Sequence, residues 1–386
     1  MVYIGVPLVF LAFVSLVSAT PTHRRASTIT VPISRKVGTI TAAELIAKEK
    51  VRIASFSGCA PIGNQSITNE DGRRIITQIG NQTFSLIIDT GSSNTWVGAD
   101  TPYVPSSSSE STGAPVTVTY GSGSFSGLEY IDKVTLGGLT VTRQSIGDAQ
   151  VTSGFTGVDG IIGFGPVTLT RRTVIGQTTV PTFMNNLHSQ GTIATEVLGV
   201  YFAPESGSNT EEINGELTLG GVDPSKYTGT LSYFPKSTVD HYSAYWGVDI
   251  ASITYGSTNL ATSVNAIVDT GTTLIYLPDF AYHSFLNATG GTTDSKTHLP
   301  SQRKCPCWTF TIKLGSVSLP LTPAQYLVPQ AQYSNFGLNP NYYYAWINNG
   351  GGSDAPVNFI LGQKFLENYY SVFDTTNSKV GFAVRT

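Results

Sequence analysis

The 386-residue chain is 40% hydrophobic and only 12% charged, about half the usual charged share, which excludes a disordered polymer. Its 22 Lys and Arg against 25 Asp and Glu leave a net charge of −3, which excludes nucleic-acid binding by bulk charge. The length suits two domains or one large one, and 40 Gly, 19 Tyr and 18 Phe against 2 Met favour strands and turns over helical bundles.

In chain order, residues 1–19 are expected to be a secretory signal. Val2 to Leu16 is almost wholly apolar but shorter than the ~20 residues of a membrane span. Val17-Ser18-Ala19 offers small residues before a cut at Thr20. No later stretch reads as a span or a lipid-anchor tail, so a secreted, extracellular protein without a membrane anchor is expected. Residues 1–57 hold seven basic side chains and two acids (Glu44 and Glu49), which leaves the remainder at −8. This basic leader is either a solvated charge run or a detachable segment held by electrostatics.

Asn64, Asn81 and Asn287 each open an Asn-x-Ser/Thr sequon, consistent with a secreted glycoprotein. Of the three cysteines, Cys305 and Cys307 stand too close for an easy bridge with each other. One long-range disulfide with one thiol left over is expected. No second cysteine pair completes a zinc site, so no metal is expected.

Beyond the leader, short apolar or alternating runs such as Phe84 to Ile88, Val116 to Tyr120, Val134 to Leu136, Leu217 to Leu219 and Ile267 to Val268 read as strands. Thr182 to Gln190, Asp279 to Ala288 and Gly362 to Tyr370 are the best helix candidates. The expected product is a large, mostly antiparallel β protein.

The informative feature is an internal echo. Ile87-Ile88-Asp89-Thr90-Gly91-Ser92-Ser93 returns 180 residues later as Ile267-Val268-Asp269-Thr270-Gly271-Thr272-Thr273. Ile161-Ile162-Gly163 follows the first copy and Ile360-Leu361-Gly362 the second, which suggests two similar lobes. A single Asp at such a turn would cap its own backbone. Two in equivalent halves would meet face to face and share a proton across acid pH. The ionised partner could then take a proton from water while the other donates to a carbonyl oxygen, with no metal, cofactor or covalent intermediate.

On these residues, roughly 75–386 resemble the pepsin-like aspartic proteases, the secreted fungal members in particular. Ile88 to Val97 and Val268 to Thr273 match the two catalytic motifs, and Tyr120-Gly121-Ser122-Gly123 matches the flap over the cleft. The resemblance implies an all-β, bilobal fold with a cleft between two pseudo-symmetric lobes: propeptide 20–57, first lobe 58–230, second lobe 231–386.

It implies Asp89 and Asp269 as the catalytic pair, supported by Thr90, Gly91, Ser92, Thr270, Gly271 and Thr272. Ser92 and Thr272 would bond the outer carboxyl oxygens, and Thr90 and Thr270 would cross-brace the loops. Tyr120, Gly121 and Ser122 would cover the substrate, with Tyr120 pairing to the Trp96 indole. Ile87 and Ile161 would line one side of the cleft and Ile267 the other. The implied activity is hydrolysis of protein or peptide substrates at acid pH by a monomer, with hydrophobic residues preferred around the cut. Relatives that also cut after Lys carry an acid where Ser122 stands, so cleavage at Lys should be poor.

Thr30 to Lys36 resembles the strand that opens family propeptides, and Lys36, Lys48, Lys50 and Arg52 are candidates to pair with the catalytic carboxylates. Gln363 stands where many relatives carry Asp. A catalytically dead family member acting as a binder is the main rival. It would normally have lost an Asp, a motif Gly or the flap Tyr, all of which remain. A serine hydrolase fails for want of a Gly-x-Ser-x-Gly elbow.

Overall fold

The computed structural model describes residues 28–36, 40–56, 72–120, 123–204 and 211–386. The signal segment, Cys59, the Asn64 sequon, the propeptide boundary at 57, Gly121 and Ser122 lie outside the described residues, as do the side chains of Arg35 and Lys36.

Strands dominate, because β-branched and aromatic residues alternate with turn-forming Gly, Asn and Ser along most of the chain. A 13-stranded sheet runs through both halves. At one end, the hairpin of Glu110–Tyr120 and Gly123–Leu136 pairs onto Leu139–Ser153. At the other, Tyr369–Asp374, Lys379–Arg385 and Tyr227–Pro235 close the order. Tyr369–Asp374 therefore belongs to the sheet shared with the first half, not to the second half's own sheet. That second sheet has seven strands, centred on Gly247–Tyr255 and Thr258–Val268.

The leader is part of this architecture. Its strand Ile29–Lys36 lies in the middle of the large sheet, paired to Glu211–Leu219 on one side and Gly72–Ile79 on the other. Helix α1, Ala42–Ser55, follows. Thr41 caps it reciprocally: its Oγ1 accepts from the Glu44 N–H (3.3 Å), and Glu44 Oε2 accepts from the Thr41 N–H (2.9 Å). Its inner face carries Ala42, Leu45, Ile46 and Ile53, and also Lys48, Glu49 and Arg52. The apolar members pack with Tyr242, Ile267, Leu274, Tyr276, Tyr344 and Trp346 of the second lobe.

Two of the expected helices form, as α2 (Phe183–Ser189) and α3 (Asp279–Thr289). The third does not persist: helix covers only Gln363–Leu366, and the chain turns into the Tyr369–Asp374 strand. Every residue from Ile360 to Phe373 is buried, so periodicity could not separate helix from strand there. Cys305 and Cys307 are exposed free thiols, so neither forms the expected disulfide. Asn81 sits exposed in the tight turn between Gly72–Ile79 and Gln82–Asp89, and Asn287 is exposed near the end of α3. Among the described residues no helix is long and apolar enough to cross a membrane.

Candidate active site

The two sequence echoes become two matching loops. Ile87 and Ile88 run parallel to Ile161 and Ile162, as Ile267 and Val268 do to Ile360 and Leu361. Each supporting strand then pairs antiparallel with the segment leaving the loop, Trp96 opposite Ile161 and Tyr276 opposite Ile360. Gly163 is required here, since a Cβ would lie 2.5 Å from the Ser93 backbone.

This packing brings Asp89 and Asp269 together, both with no solvent exposure. The Gly91 and Gly271 N–H groups each donate to the inner Oδ1 of their own aspartate at 2.9 Å. Ser92 Oγ donates to Asp89 Oδ2 at 2.6 Å and Thr272 Oγ1 to Asp269 Oδ2 at 2.5 Å. Beneath them the threonines exchange bonds. Each of Thr90 and Thr270 accepts the other's N–H on its Oγ1 at 3.0 Å and donates that hydroxyl to a carbonyl of the opposite loop, Val268 or Ile88. Gln363 Nε2 adds a brace to the Thr270 carbonyl at 2.8 Å. Across the lobes, the Trp246 indole donates to the Phe164 carbonyl at 3.0 Å.

Of the four leader cations, Arg52 reaches the pair. Its Nη2 donates to Asp89 Oδ1 (2.6 Å) and Asp269 Oδ1 (2.9 Å), and its Nε to Asp269 Oδ2 (2.9 Å) and Thr272 Oγ1 (3.1 Å). Lys50 is exposed and Lys48 is buried. Phe56 supports the guanidinium from 5.6 Å and packs edge-on against Tyr245. Burial disfavours the Arg52 charge, but the Asp269 and Asp89 carboxylates outweigh this and hold it protonated.

The two aspartates respond differently. Burial lifts the Asp89 carboxyl above the usual range, opposed by Arg52 and reinforced by the Asp269 charge. At Asp269 burial acts in the same direction, but Arg52 prevails and holds that carboxyl below the usual range.

Glu49 was missed as a site residue. One helical turn before Arg52, its carboxylate accepts from the N–H groups of Thr273 and Leu274 and from the Tyr276 hydroxyl. Burial raises its pKa, opposed by these hydrogen bonds. The Thr41-x-x-Glu44 capping signature and 3.6-residue spacing would have placed Glu49 and Arg52 on one helix face.

Trp96 and Tyr120 pack together with Ile87 and Ile161, while Ile267 lies under the leader on the other side. The Trp96 indole N–H lies close enough to the Tyr120 hydroxyl to oppose the rise that burial imposes on the Tyr120 pKa, although their alignment falls short of a well-formed hydrogen bond. Phe125 stacks on the indole at 4.5 Å, Phe155 meets both rings edge-on, and the Trp96 and Tyr120 ring centres lie 6.1 Å apart.

The sequence pattern of the eukaryotic aspartyl proteases matches residues 75–385. The chain belongs to that family and is an aspartic-type endopeptidase. It is similar to polyporopepsin of Irpex lacteus, 44% identical over 308 residues that cover 78% of this chain and 90% of the relative. Similarity extends to pig pepsin A, at 31% identity over 78% of each chain. The crystal structure of the Irpex lacteus aspartic proteinase superposes with a TM-score of 0.80 at 38% identity, covering 93% of this chain and 98% of that one.

Proposed function

We propose that this chain is a secreted endopeptidase, made as a precursor and active at acid pH, whose reacting groups are Asp89 and Asp269. The observation that carries the reading is the convergence of both aspartates on one guanidinium, a position a water could take once Arg52 leaves. One carboxylate would take a proton from that water as its oxygen bonds to the peptide carbon. The other carboxyl would donate to the carbonyl oxygen. Collapse then breaks the C–N bond, and the amine leaves with a proton from the dyad. Thr90, Gly91, Ser92, Thr270, Gly271 and Thr272 would hold both carboxyls in place.

Tyr120, Gly121 and Ser122 would close over an extended peptide held mainly through its backbone. The apolar Ile87, Ile161 and Ile267 support a preference for hydrophobic residues around the cut. Residues 20–57 would act as a propeptide ahead of lobes 58–230 and 231–386, with a monomer as the working form. Arg52 in the dyad supports inhibition by cleft occupancy over a leader that only aids folding.

Casein digestion across pH 3–7, with and without pepstatin, tests the reading. Pepstatin-sensitive digestion at acid pH is expected. A folded, processed chain that digests nothing at any of these pH values would sink it.

A further inference from the structure

Seven residues after each catalytic-loop aspartate the lobes diverge. The first lobe has Trp96, whose buried indole packs against Tyr120 and Phe125. The second has Tyr276, whose hydroxyl donates to Glu49 at 2.8 Å. With the N–H groups of Thr273 and Leu274 it forms a nook of three donors converging on one carboxylate. The nook adjoins the reacting groups, because Thr272, next in sequence, bonds Asp269 directly.

The donors belong to the second lobe, not to the leader. Leu274 and Tyr276 have no solvent exposure, and the Ile275–Leu277 strand is held between Ile360–Leu361 and Ile347–Asn349. When α1 departs, the donors stay and their acceptor goes. Donors left without an acceptor in a cleft favour whichever ligand restores one. A carboxyl group offers an acceptor oxygen whether ionised or neutral, whereas a Lys or Arg side chain adds donors to donors.

We propose that in the processed enzyme Thr273, Leu274 and Tyr276 form a subsite for a carboxyl side chain of the substrate, occupied in the precursor by Glu49. This rests on the reading of the leader as detachable and of Asp89 and Asp269 as the reacting pair. The subsite sets a preference for Glu at one position away from the cleaved bond, alongside the hydrophobic residues flanking the cut.

The test uses the full chain processed in acid and peptides with one cleavable Phe–Phe bond. Glu, Gln or Leu is placed in turn at each of four positions on either side. At one position kcat/KM for Glu should exceed that for Leu by about tenfold, as expected of a hydrogen bond to a charged group, with Gln between them. Tyr276→Phe should bring the Glu-to-Leu ratio at that position toward unity. Equal rates for Glu and Leu at every position, or an unchanged ratio in Tyr276→Phe, would overturn the subsite while leaving the protease reading intact. The wild-type comparison stands even if the variant misfolds. Failure of the folded, processed enzyme to cut any of the peptides would overturn the protease reading, and the subsite with it.

Discussion

Arg52 grips Asp269 side-on, with Nε and Nη2 meeting both carboxylate oxygens at 2.9 Å, but reaches Asp89 through Nη2 alone. The asymmetry gives the lock a pH dependence. Against burial, Arg52 is the largest of the effects that lower the Asp269 pKa, ahead of the Thr272 and Gly271 bonds, and it acts only while the leader is docked. The Asp269 contribution to docking is therefore complete above the ordinary carboxylate pKa and is lost as pH falls through the lowered one. At Asp89 burial wins and the carboxyl is raised overall, with Arg52 acting against that rise. Leader release should set in on the acid side of the usual carboxylate range, as followed by N-terminal mass and activity after a drop from pH 7 to pH 4. Full activity with the leader uncut and attached would contradict cleft blockade.

Replacing Arg52 should shift that profile upward. Arg52→Ala leaves two buried carboxyls without their cation, a loss of about 3–5 kcal/mol for a broken buried pair. Processing should then begin closer to neutral pH. Arg52→Lys should fall between, since an ammonium cannot supply the paired fork. Identical pH profiles for all three chains would remove Arg52 from the lock.

Asp269→Asn keeps the side-chain volume but ends proton sharing within the dyad. Losing an essential member of a catalytic unit costs on the order of a thousandfold or more in rate. Retention of most acid proteolysis by the folded variant would refute the mechanism.

Away from the cleft, Glu129 is buried with Ser145 as donor to one oxygen, while its Oε2 has no partner. Burial pushes its carboxyl up to about 7, with the Ser145 bond pulling the other way. The raised value means that the native state gains from the proton. That stability is whole below the unfolded-state pKa and is lost as pH climbs from about 4.5 toward 7. Glu129→Gln should raise the melting temperature at pH 7 relative to wild type and change it little at pH 4. Equal differences at both pH values would exclude a titrating Glu129.

Thr270→Val removes the hydroxyl that accepts the Thr90 N–H and donates to the Ile88 carbonyl. Two buried backbone groups lose their partners, each at about 1–3 kcal/mol. A clear fall in melting temperature is expected, and an unchanged value would show that the cross-brace is dispensable to the fold.

Much of the site was legible because it is written twice. The Ile-Ile-Asp-Thr-Gly and Ile-Val-Asp-Thr-Gly runs point to paired loops, and apolar strands ending on Asp-Thr-Gly leave little choice of geometry. Helix α1 was not legible as an apolar stripe, because Lys48, Glu49 and Arg52 interrupt its buried face. Arg52 and Glu49 have partners more than 200 positions away, Asp269 and Tyr276 respectively. The same distance hid the choice of Arg52 over Lys50, which became visible only once the helix assigned them opposite sides. The alignment of Trp96 with Tyr120 was hidden for a related reason, since the packing of Phe125 and Phe155 around both rings leaves no trace in local spacing.

The leader strand Ile29–Lys36 has neighbours on both sides, with all eight residues paired to Glu211–Leu219 across a register shift between Ile33 and Ser34. Hydrolysis after residue 57 would not undo any of those pairings. A severed leader would stay on as a tightly bound second chain, threaded through the middle of the enzyme's largest sheet. Maturation of such a precursor would then be limited by strand exchange as well as by proteolysis: two internal edges would have to open, and something would have to re-close them before the cleft was permanently free.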